Sequence, residues 1–364
     1  MSAAEISENG QLTVVKQLFS ALSDELKNAF TEWISKTVDQ RIALSLRYSF
    51  SPVSDQNISR YLQGQKYENG RPDVCPFCGE THVVKNGTKG EAQRYLCRNC
   101  RKTFGDTQDS ILKSTKKALA VWEKFVECMI NAFSLRKIAE ICGISAVTAF
   151  IWRHKILDAL QNMMAEVKLN GVVEADETYA RISYKGQRTD NMPRESHKRG
   201  SAANKRGLSS EQVCIPCGVN LNGQSIAKVS NLGHPSFQDL DNVLGGKVTS
   251  GSVFVTDSLR GYCRLSAEGD LVHIQIEPGH HTNGNFNIQM VNNFHGKIKQ
   301  FINYTFRGVS SKYMNNYLAY NSLVNYSLGT ESQKINIMNN FTFSTKCARL
   351  YRDIPNRPLI PLLG

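Results

Sequence analysis

The sequence predicts a mixed α/β fold in which a helical segment, a metal-binding ribbon and a helix-turn-helix precede one mixed sheet. Two C-x-x-C pairs near residue 80 indicate the ribbon, a helical period runs from about 116 to 165, and strands alternate with helices after about 168. The chain has 364 residues, of which 41% are hydrophobic, enough for two to four separately packed units.

These patterns divide the chain into five predicted regions. They are a helical N-terminal segment at 1–66, a cysteine-rich ribbon at 67–112, a helix-turn-helix region at 113–166, a mixed-sheet core at 167–330 with a basic insertion at 181–207, and a C-terminal tail at 331–364. The first region is predicted to be helical because Leu26, Phe30 and Ile34 recur at helical spacing after Ser23, a suitable N-cap. Contact with nucleic acid and contact with a second subunit are both open roles for it.

The charge balance is strongly basic, with 44 Lys and Arg against 32 Asp and Glu, a net charge of +12. Such a charge indicates a polyanionic partner, nucleic acid before an anionic membrane. No apolar run reaches the roughly 20 residues of a membrane span, and the polar N-terminus does not resemble a secretory signal. We therefore expect a cytoplasmic protein with no membrane partner.

Four cysteines have the spacing of a zinc site. Cys75 and Cys78 form one C-x-x-C pair, and Cys97 and Cys100 form another after 18 intervening residues. Two such pairs can place four thiolates around one tetrahedral Zn²⁺, with short strands between them. Four sulfur ligands leave no open position on the ion, so the expected role of the zinc is structural.

Basic side chains cluster at the second cysteine pair. Arg98, Arg101 and Lys102 follow one another closely there. Cations in this arrangement are expected if the ribbon lies on a phosphate backbone. We therefore predict that these three residues contact DNA.

Residues 134–148 have the pattern of a helix-turn-helix. Gly143 can supply the positive φ of the turn, and Ser145 can cap the second helix. The core-facing positions are predicted to be Ile138, Ala139, Ile144, Val147 and Ile151. An ordinary pair of core helices is the alternative interpretation.

In a helix-turn-helix the second helix enters the major groove with its N-terminal residues at the base edges. The predicted base contacts are therefore Thr148 and Arg153, together with Ala149 and His154.

The region after 168 carries acids on strands and a long basic loop. Residues 171–179 are predicted to form a strand, and 181–207 hold eight Lys or Arg against Asp190 and Glu195. A loop of this length and charge is either disordered in isolation or ordered on phosphates. Its candidate DNA contacts are Lys198, Arg199, Lys205 and Arg206. Further strands are predicted near 212–220, 224–230, 252–257 and 271–276, and helices near 236–245, from about 260, and at 288–303.

From about 70 to about 330 the chain resembles the zinc-ribbon insertion-sequence transposases of the DDE superfamily, the ISXO type. The resemblance rests on several motifs in a fixed order. They are the two cysteine pairs, Glu174–Thr178, the loop segments His197–Gly200 and Lys205–Ser209, Val255–Asp257 with Arg260–Tyr262, Val291–His295 through Lys299, and Phe306–Tyr313.

The resemblance implies an RNase H-like core in which Asp176 and Asp257 lie side by side on two strands. A third ligand from a later helix would complete a site for two Mg²⁺ or Mn²⁺ ions. The superfamily usually has Glu at that third position, whereas this chain has Asn292. Lys299, about two helical turns further on, would hold a DNA phosphate. Glu174 and Glu277 are less favoured ligands, and Arg307 and Lys312 of the last motif are candidate DNA contacts.

The expected function is that of a transposase. It would bind double-stranded DNA at the terminal inverted repeats of an insertion sequence, as at least a dimer, and catalyse Mg²⁺-dependent strand cleavage and strand transfer. One alternative is a catalytically inactive DNA-binding regulator derived from a transposase, which the missing third carboxylate favours. The other is an RNase H-like nuclease that cuts DNA without joining it.

Overall fold

The computed structural model describes residues 23, 25–29, 70–90, 92–105, 107, 108, 110–113, 115–187, 209–344 and 353–362. The chain forms two compact units, Met1–Pro52 and Val53–Gly364. In the first, residues 25–29 are helical, and the Leu26 amide donates to Ser23 Oγ over 3.4 Å, as expected of an N-cap. The rest of the predicted helical segment at 1–66 lies outside the described residues.

A small antiparallel sheet lies between and beside the two cysteine pairs. Its strands are β1 (Val83–Lys89), β2 (Ala92–Cys97) and β3 (Thr103–Gly105), in the order β1-β2-β3. Val83, Tyr95 and Phe104 are buried with the cysteines and form a core of their own. A core this small depends on an additional crosslink for its stability, and a metal bound by the cysteines would supply one.

Three helices follow the ribbon: α1 (Leu119–Ile130), α2 (Leu135–Cys142) and α3 (Ala146–Met164). Gly143 ends α2 with φ of +59°, and Ser145 Oγ accepts the Thr148 amide over 3.0 Å at the start of α3. The predicted turn between two capped helices is therefore present.

One predicted core position in this motif is wrong. Ile138, Ala139 and Ile151 are buried, but the side chain of Val147 is 56% exposed. Val147 is not part of the surrounding hydrophobic core, and its side chain faces solvent.

The central sheet has five strands and the predicted RNase H-like mixed topology. Its strands are β4 (Val172–Arg181), β5 (Gln212–Asn220), β6 (Ser225–Ala227), β7 (Val253–Thr256) and β8 (Val272–Gln275). The order is β6-β5-β4-β7-β8, with β5 antiparallel and β7 parallel to β4. The middle strand β4 pairs with β7 over Val172–Ala175 and with β5 over Val173–Arg181, so only β5 borders its second half.

Helices cover both faces of this sheet. On one face, α4 (Phe237–Leu244) and α5 (Arg260–Glu268) pack in a cluster with Val173, Ala175 and Phe254. On the other lie α6 (Gln289–Gln300) and α7 (Met314–Asn321), which contact β4, β5 and β6. The remaining elements are β9 (Thr282–Asn283), β10 (Phe286–Asn287), a π-helix at Phe301–Thr305, a 3-10 helix at Ser311–Tyr313, a second π-helix at Ser322–Tyr326, and α8 (Glu331–Ser344).

The helix-turn-helix and the face of the sheet that carries α6 share one hydrophobic core. Trp122 and Trp152, whose rings stack at 3.6 Å between centroids, belong to the same buried cluster as Ile215, Phe294 and Leu318. The interior therefore continues across the boundary predicted near residue 166. None of the described helices combines the length and the apolar character that crossing a membrane requires.

The C-terminal segment 353–362, here called the strap, adds a polar connection between the same parts. Its Arg357 donates to Asp158 on α3 over 2.6 Å and to Asn316 on α7 over 2.9 Å. Asn316 in turn donates to Asp158 over 3.0 Å. The strap therefore joins the long second helix of the helix-turn-helix to a helix of the sheet region.

Candidate active site and zinc cluster

Two acids lie on adjacent parallel strands, where the end of β7 meets the middle of β4. Ala175 of β4 is in register with Thr256 of β7. Asp176 follows Ala175 directly, and Asp257 follows Thr256 directly. Asp176 Oδ1 accepts the Glu177 amide over 2.8 Å, and Asp257 Oδ1 accepts the Leu259 amide over 3.0 Å. These bonds orient both carboxylates and leave a second oxygen on each for another partner.

The surroundings of Asp176 are those of a site for positive charge. Burial raises the pKa of Asp176 to about 6, and the negative charge of Asp257 adds to the rise. The Glu177 amide and the ammonium group of Lys299 act in the opposite direction. Two carboxylates that repel each other across a partly buried space fit a divalent cation with oxygen ligands.

Helix α6 presents a row of polar residues that begins beside this pair. Asn292 and Lys299 are exposed, and His295 between them is buried. The spacings of three and four residues place all three on one side of the helix. His295 Nδ1 lies 4.0 Å from Asp176 Oδ2, which locates this side of α6 next to the acidic pair.

Sequence reasoning gave His295 no role, although its spacing from Asn292 and Lys299 was a usable signal. Burial, together with the positive charge of Lys299, lowers the pKa of His295 to about 4, so the ring is neutral near pH 7. A neutral imidazole can be buried beside Asp176 without adding a second positive charge.

Glu177 is a further acid in this cluster that sequence reasoning left without a role. Burial raises the pKa of Glu177 to about 7, the Tyr262 hydroxyl opposes that rise, and Asp176 and Asp257 add to it. Tyr262 itself is fully buried on α5. Glu177 therefore belongs to the same electrostatic environment as Asp176 and Asp257.

The two less favoured ligands from the sequence analysis occupy other positions. Glu174 is buried, and its carboxylate accepts the Val291 amide at the start of α6 over 3.0 Å. Glu277 is exposed and follows β8 at the edge of the sheet, with β7 between it and β4. Glu174 thus binds the start of α6, and Glu277 is separated from Asp176 by strand β7.

The four ribbon cysteines form a compact sulfur cluster. Cys75 Sγ lies 3.7 Å from Cys100 Sγ, Cys78 Sγ lies 3.6 Å from Cys97 Sγ, and all four sulfurs are within 4.8 Å of one another. A tetrahedral zinc with bonds of about 2.3 Å requires sulfurs about 3.8 Å apart. The Cys100 amide lowers the pKa of Cys97 to about 7, which favours the thiolate that a metal needs. The cluster fits a structural metal such as zinc.

The predicted cations of the ribbon are on its surface. Arg98, Arg101 and Lys102 are exposed, and the Lys102 ammonium lies 5.0 Å from the centre of the Phe77 ring. Arg101 has φ of +58°, because it follows the second cysteine pair in a tight turn. All three remain accessible to a phosphate backbone.

Three predicted base contacts on α3 require correction. Ala149, Arg153 and His154 are buried, Arg153 and His154 with only 1% exposure. Arg153 donates to the Phe133 carbonyl over 2.6 Å, and His154 packs against Tyr313 with 4.0 Å between ring centroids. Burial holds the pKa of His154 well below its usual value, and Arg357 adds to this effect. These side chains belong to the core because α7 and the strap cover the later turns of α3.

Thr148 stays near the surface, and the first turn of α3 is otherwise apolar or hydroxylic. The Thr148 hydroxyl is 2.9 Å from Ser145 Oγ, while Ala146 and Val147 are exposed beside it. A side chain such as Val147 can contact the methyl group of thymine in a major groove.

Of the two predicted DNA contacts in the last motif, one is exposed and the other is buried. Arg307 is exposed, with φ of +51°. Lys312 is buried and donates to the Pro355 carbonyl over 2.9 Å. Its ammonium group therefore binds the strap, and the prediction that Lys312 contacts DNA is wrong. Lys198, Arg199, Lys205 and Arg206 lie outside the described residues.

Part of the chain is similar to proteins of insertion elements. Residues 168–321 match the ISXO2-like transposase domain. An uncharacterized protein in transposable element ISH50 of Halobacterium salinarum is 29% identical over 160 residues, which are 44% of this chain and 52% of that protein. An uncharacterized 48.3 kDa protein of insertion element ISM1 from Methanobrevibacter smithii is 27% identical over 149 residues, 35% of this chain and 36% of that protein. The chain thus spans about half or less of the length of these curated relatives.

The matched segment contains the whole five-stranded sheet together with α4 to α7. It also contains Asp176, Asp257 and the polar side of α6. The chain therefore contains a domain similar to the ISXO2-like transposases, and its two relatives are proteins of insertion elements.

Proposed function

We propose that this protein is a transposase that binds the terminal inverted repeats of an insertion sequence and catalyses metal-dependent strand cleavage and strand transfer. The observation that carries the proposal is the register of β4 and β7, which brings Asp176 and Asp257 together beneath the polar side of α6. Asp176, Asp257 and Asn292 are the proposed ligands of Mg²⁺ or Mn²⁺, and Lys299 is the proposed contact to a DNA phosphate.

The donor set suits hard divalent ions. Such ions, bound in a pair, activate an oxygen nucleophile and stabilise the leaving oxyanion of a phosphodiester. The two carboxylates supply negative charge, while the Asn292 amide supplies an oxygen ligand without charge. This site would therefore neutralise its ions less than one with three carboxylates, and the exposed Lys299 would act on the DNA phosphate rather than on the metal.

Double-stranded DNA would be held by surfaces outside the catalytic centre. The proposed contacts are the ribbon cations Arg98, Arg101 and Lys102, the first turn of α3 with Thr148, the basic insertion with Lys198, Arg199, Lys205 and Arg206, and Arg307. Zinc would maintain the shape of the ribbon without taking part in the chemistry. Because an insertion sequence has two ends, we propose that at least two copies act together on DNA.

Variants of the proposed ligands test the function on a labelled terminal-repeat duplex with Mg²⁺. Asp176→Ala and Asp257→Ala should abolish cleavage and leave DNA binding intact, since docking uses other surfaces. Asn292→Ala should be severely impaired, whereas Asn292→Glu should keep activity with a changed preference between Mg²⁺ and Mn²⁺. Glu268→Gln is the matched control, because it removes an exposed carboxylate that pairs with Arg264 over 2.8 Å.

The same assay separates the alternative functions. An inactive regulator would bind repeat DNA specifically and show no cleavage of any repeat-bearing duplex, an outcome that the amide at Asn292 favours. A nuclease would cut the duplex but produce no joined products with a target DNA. Near-normal cleavage by Asn292→Ala would move the third ligand elsewhere in the acidic cluster, with Glu177 the next residue to test.

A further inference from the structure

The start of α6 is held by an acid from the central strand. Glu174 is 4% exposed and lies on β4, and one of its carboxylate oxygens accepts the Val291 amide over 3.0 Å. The Met290 amide also interacts with this carboxylate. A carboxylate at the first turn of a helix satisfies amides that have no acceptor within the helix and lies at the positive end of its dipole.

Together with a local contact, Glu174 accounts for the amides of the first turn. Ile288, which precedes the helix, makes no capping bond through its side chain. The Gln289 amide donates to Asn287 Oδ1 over 2.9 Å, and the Asn292 amide makes a bond to the Ile288 carbonyl over 3.1 Å. The amides of Met290 and Val291, between these two, are the ones that depend on Glu174.

We propose that Glu174 is a positioning residue that sets where Asn292 stands relative to Asp176. Asp176 lies two residues beyond Glu174 on the same side of β4, and Asn292 directly follows Val291. The bond between Glu174 and Val291 therefore joins the strand to the helix two residues before Asp176 and one residue before Asn292. This inference rests on the proposed function, because it takes Asn292 and Asp176 as ligands.

A second contact between the same two elements restricts their relative movement. One turn after Asn292, His295 Nδ1 lies 4.0 Å from Asp176 Oδ2. Two points of contact, one before and one after Asn292, define the angle of the helix as well as its height on the strand. Loss of the first contact would free the end of α6 that carries Asn292 and leave the His295 contact in place.

The test compares two substitutions that differ in whether an acceptor oxygen remains. Glu174→Gln keeps such an oxygen at the same reach, whereas Glu174→Ala removes it. In Glu174→Ala, hydrogen exchange of the Met290 and Val291 amides should rise about tenfold or more, because they lose their acceptor. Cleavage should fall by about 100-fold, as expected for a displaced ligand, with DNA affinity unchanged. Glu174→Gln should restore protection of both amides and most of the cleavage rate.

Thr178→Val is the matched control for substitution at a buried polar position. Thr178 is also buried on β4, on the same side of the strand, and is 3% exposed. In Thr178→Val, hydrogen exchange of the Met290 and Val291 amides should be the same as in the parent protein. In an Asn292→Ala background, Glu174→Ala should cause little additional loss of cleavage, because its effect acts through Asn292.

Three outcomes would overturn the inference. The first is unchanged hydrogen exchange of the Met290 and Val291 amides in Glu174→Ala. The second is that Glu174→Ala and Asn292→Ala reduce cleavage independently, so that their losses add in the double variant. The third is that Glu174→Gln loses Mn²⁺ affinity as Asp176→Asn does. The last result would make Glu174 a ligand. Hydrogen exchange is measured without DNA or metal, so it tests the role of Glu174 at the start of α6 independently of catalysis. Full cleavage by Asp176→Ala would refute the proposed catalytic site and would leave that exchange result valid.

Discussion

Replacement of Arg357 by alanine should destabilise the unit that contains the sheet and the helix-turn-helix. Arg357 of the strap reaches Asp158 on α3 and Asn316 on α7 with two separate nitrogens. Asp158 is 7% exposed, and Arg357 is 18% exposed. The substitution would leave the Asp158 carboxylate buried with the Asn316 amide but without its cation.

The size of the effect follows from this burial. Removal of one partner from a buried ion pair costs about 3–5 kcal/mol, because the other charge is left uncompensated. Arg357 retains some contact with water, so we expect the lower end, about 3 kcal/mol. Asp158→Ala combined with Arg357→Ala should cost less than the sum of the two single changes, because the double variant leaves no buried charge.

Urea unfolding followed by tryptophan fluorescence measures this change. The stacked pair Trp122 and Trp152 lies in the core that the strap covers, so its emission reports on that core. Lys124→Ala is the control, since its ion pair with Glu127 is about half exposed and its loss should cost under about 0.5 kcal/mol. An Arg357→Ala variant as stable as this control would refute the argument that the strap is docked through the ion pair.

Two further predictions concern the metal and the basic insertion. Elemental analysis should find about one zinc per chain, and Cys97→Ser should lose both the zinc and specific DNA binding. The control Cys263→Ser, at an exposed cysteine, should lose neither. A zinc-free protein that binds DNA fully would contradict this prediction. If the insertion pairs with phosphates, each lost contact should lower the salt slope of DNA binding by about 0.9, and an unchanged slope would show that the loop faces solvent. The variant for that measurement neutralises Lys198, Arg199, Lys205 and Arg206 together.

Features determined by neighbouring residues could be predicted from the sequence. The turn at Gly143 and the cap at Ser145 depend on residues within one turn of each other, and both are present as expected. The cysteine spacing likewise predicts the cluster, because a C-x-x-C pair directs both of its sulfurs to one point.

Features that depend on distant parts of the chain could not be predicted in this way. Arg153 follows the period of a DNA-reading helix, yet it is buried because segments more than 100 residues away cover that part of α3. Glu174 contacts a helix 117 residues further along the chain, so its strand pattern alone gave no indication of that bond. A local period shows which residues share a face but not how many faces are covered.

The shared core and the strap have a consequence for the DNA that this protein would cut. With α3 fixed to the sheet region, the first turn of α3 and the pair Asp176 and Asp257 keep a constant separation. The protein would then measure the spacing between the repeat sequence it reads and the phosphate it cleaves. One inserted base pair moves that phosphate by about 3.4 Å and turns it by about 35° around the helix axis, so cleavage should tolerate few changes in the length of this interval.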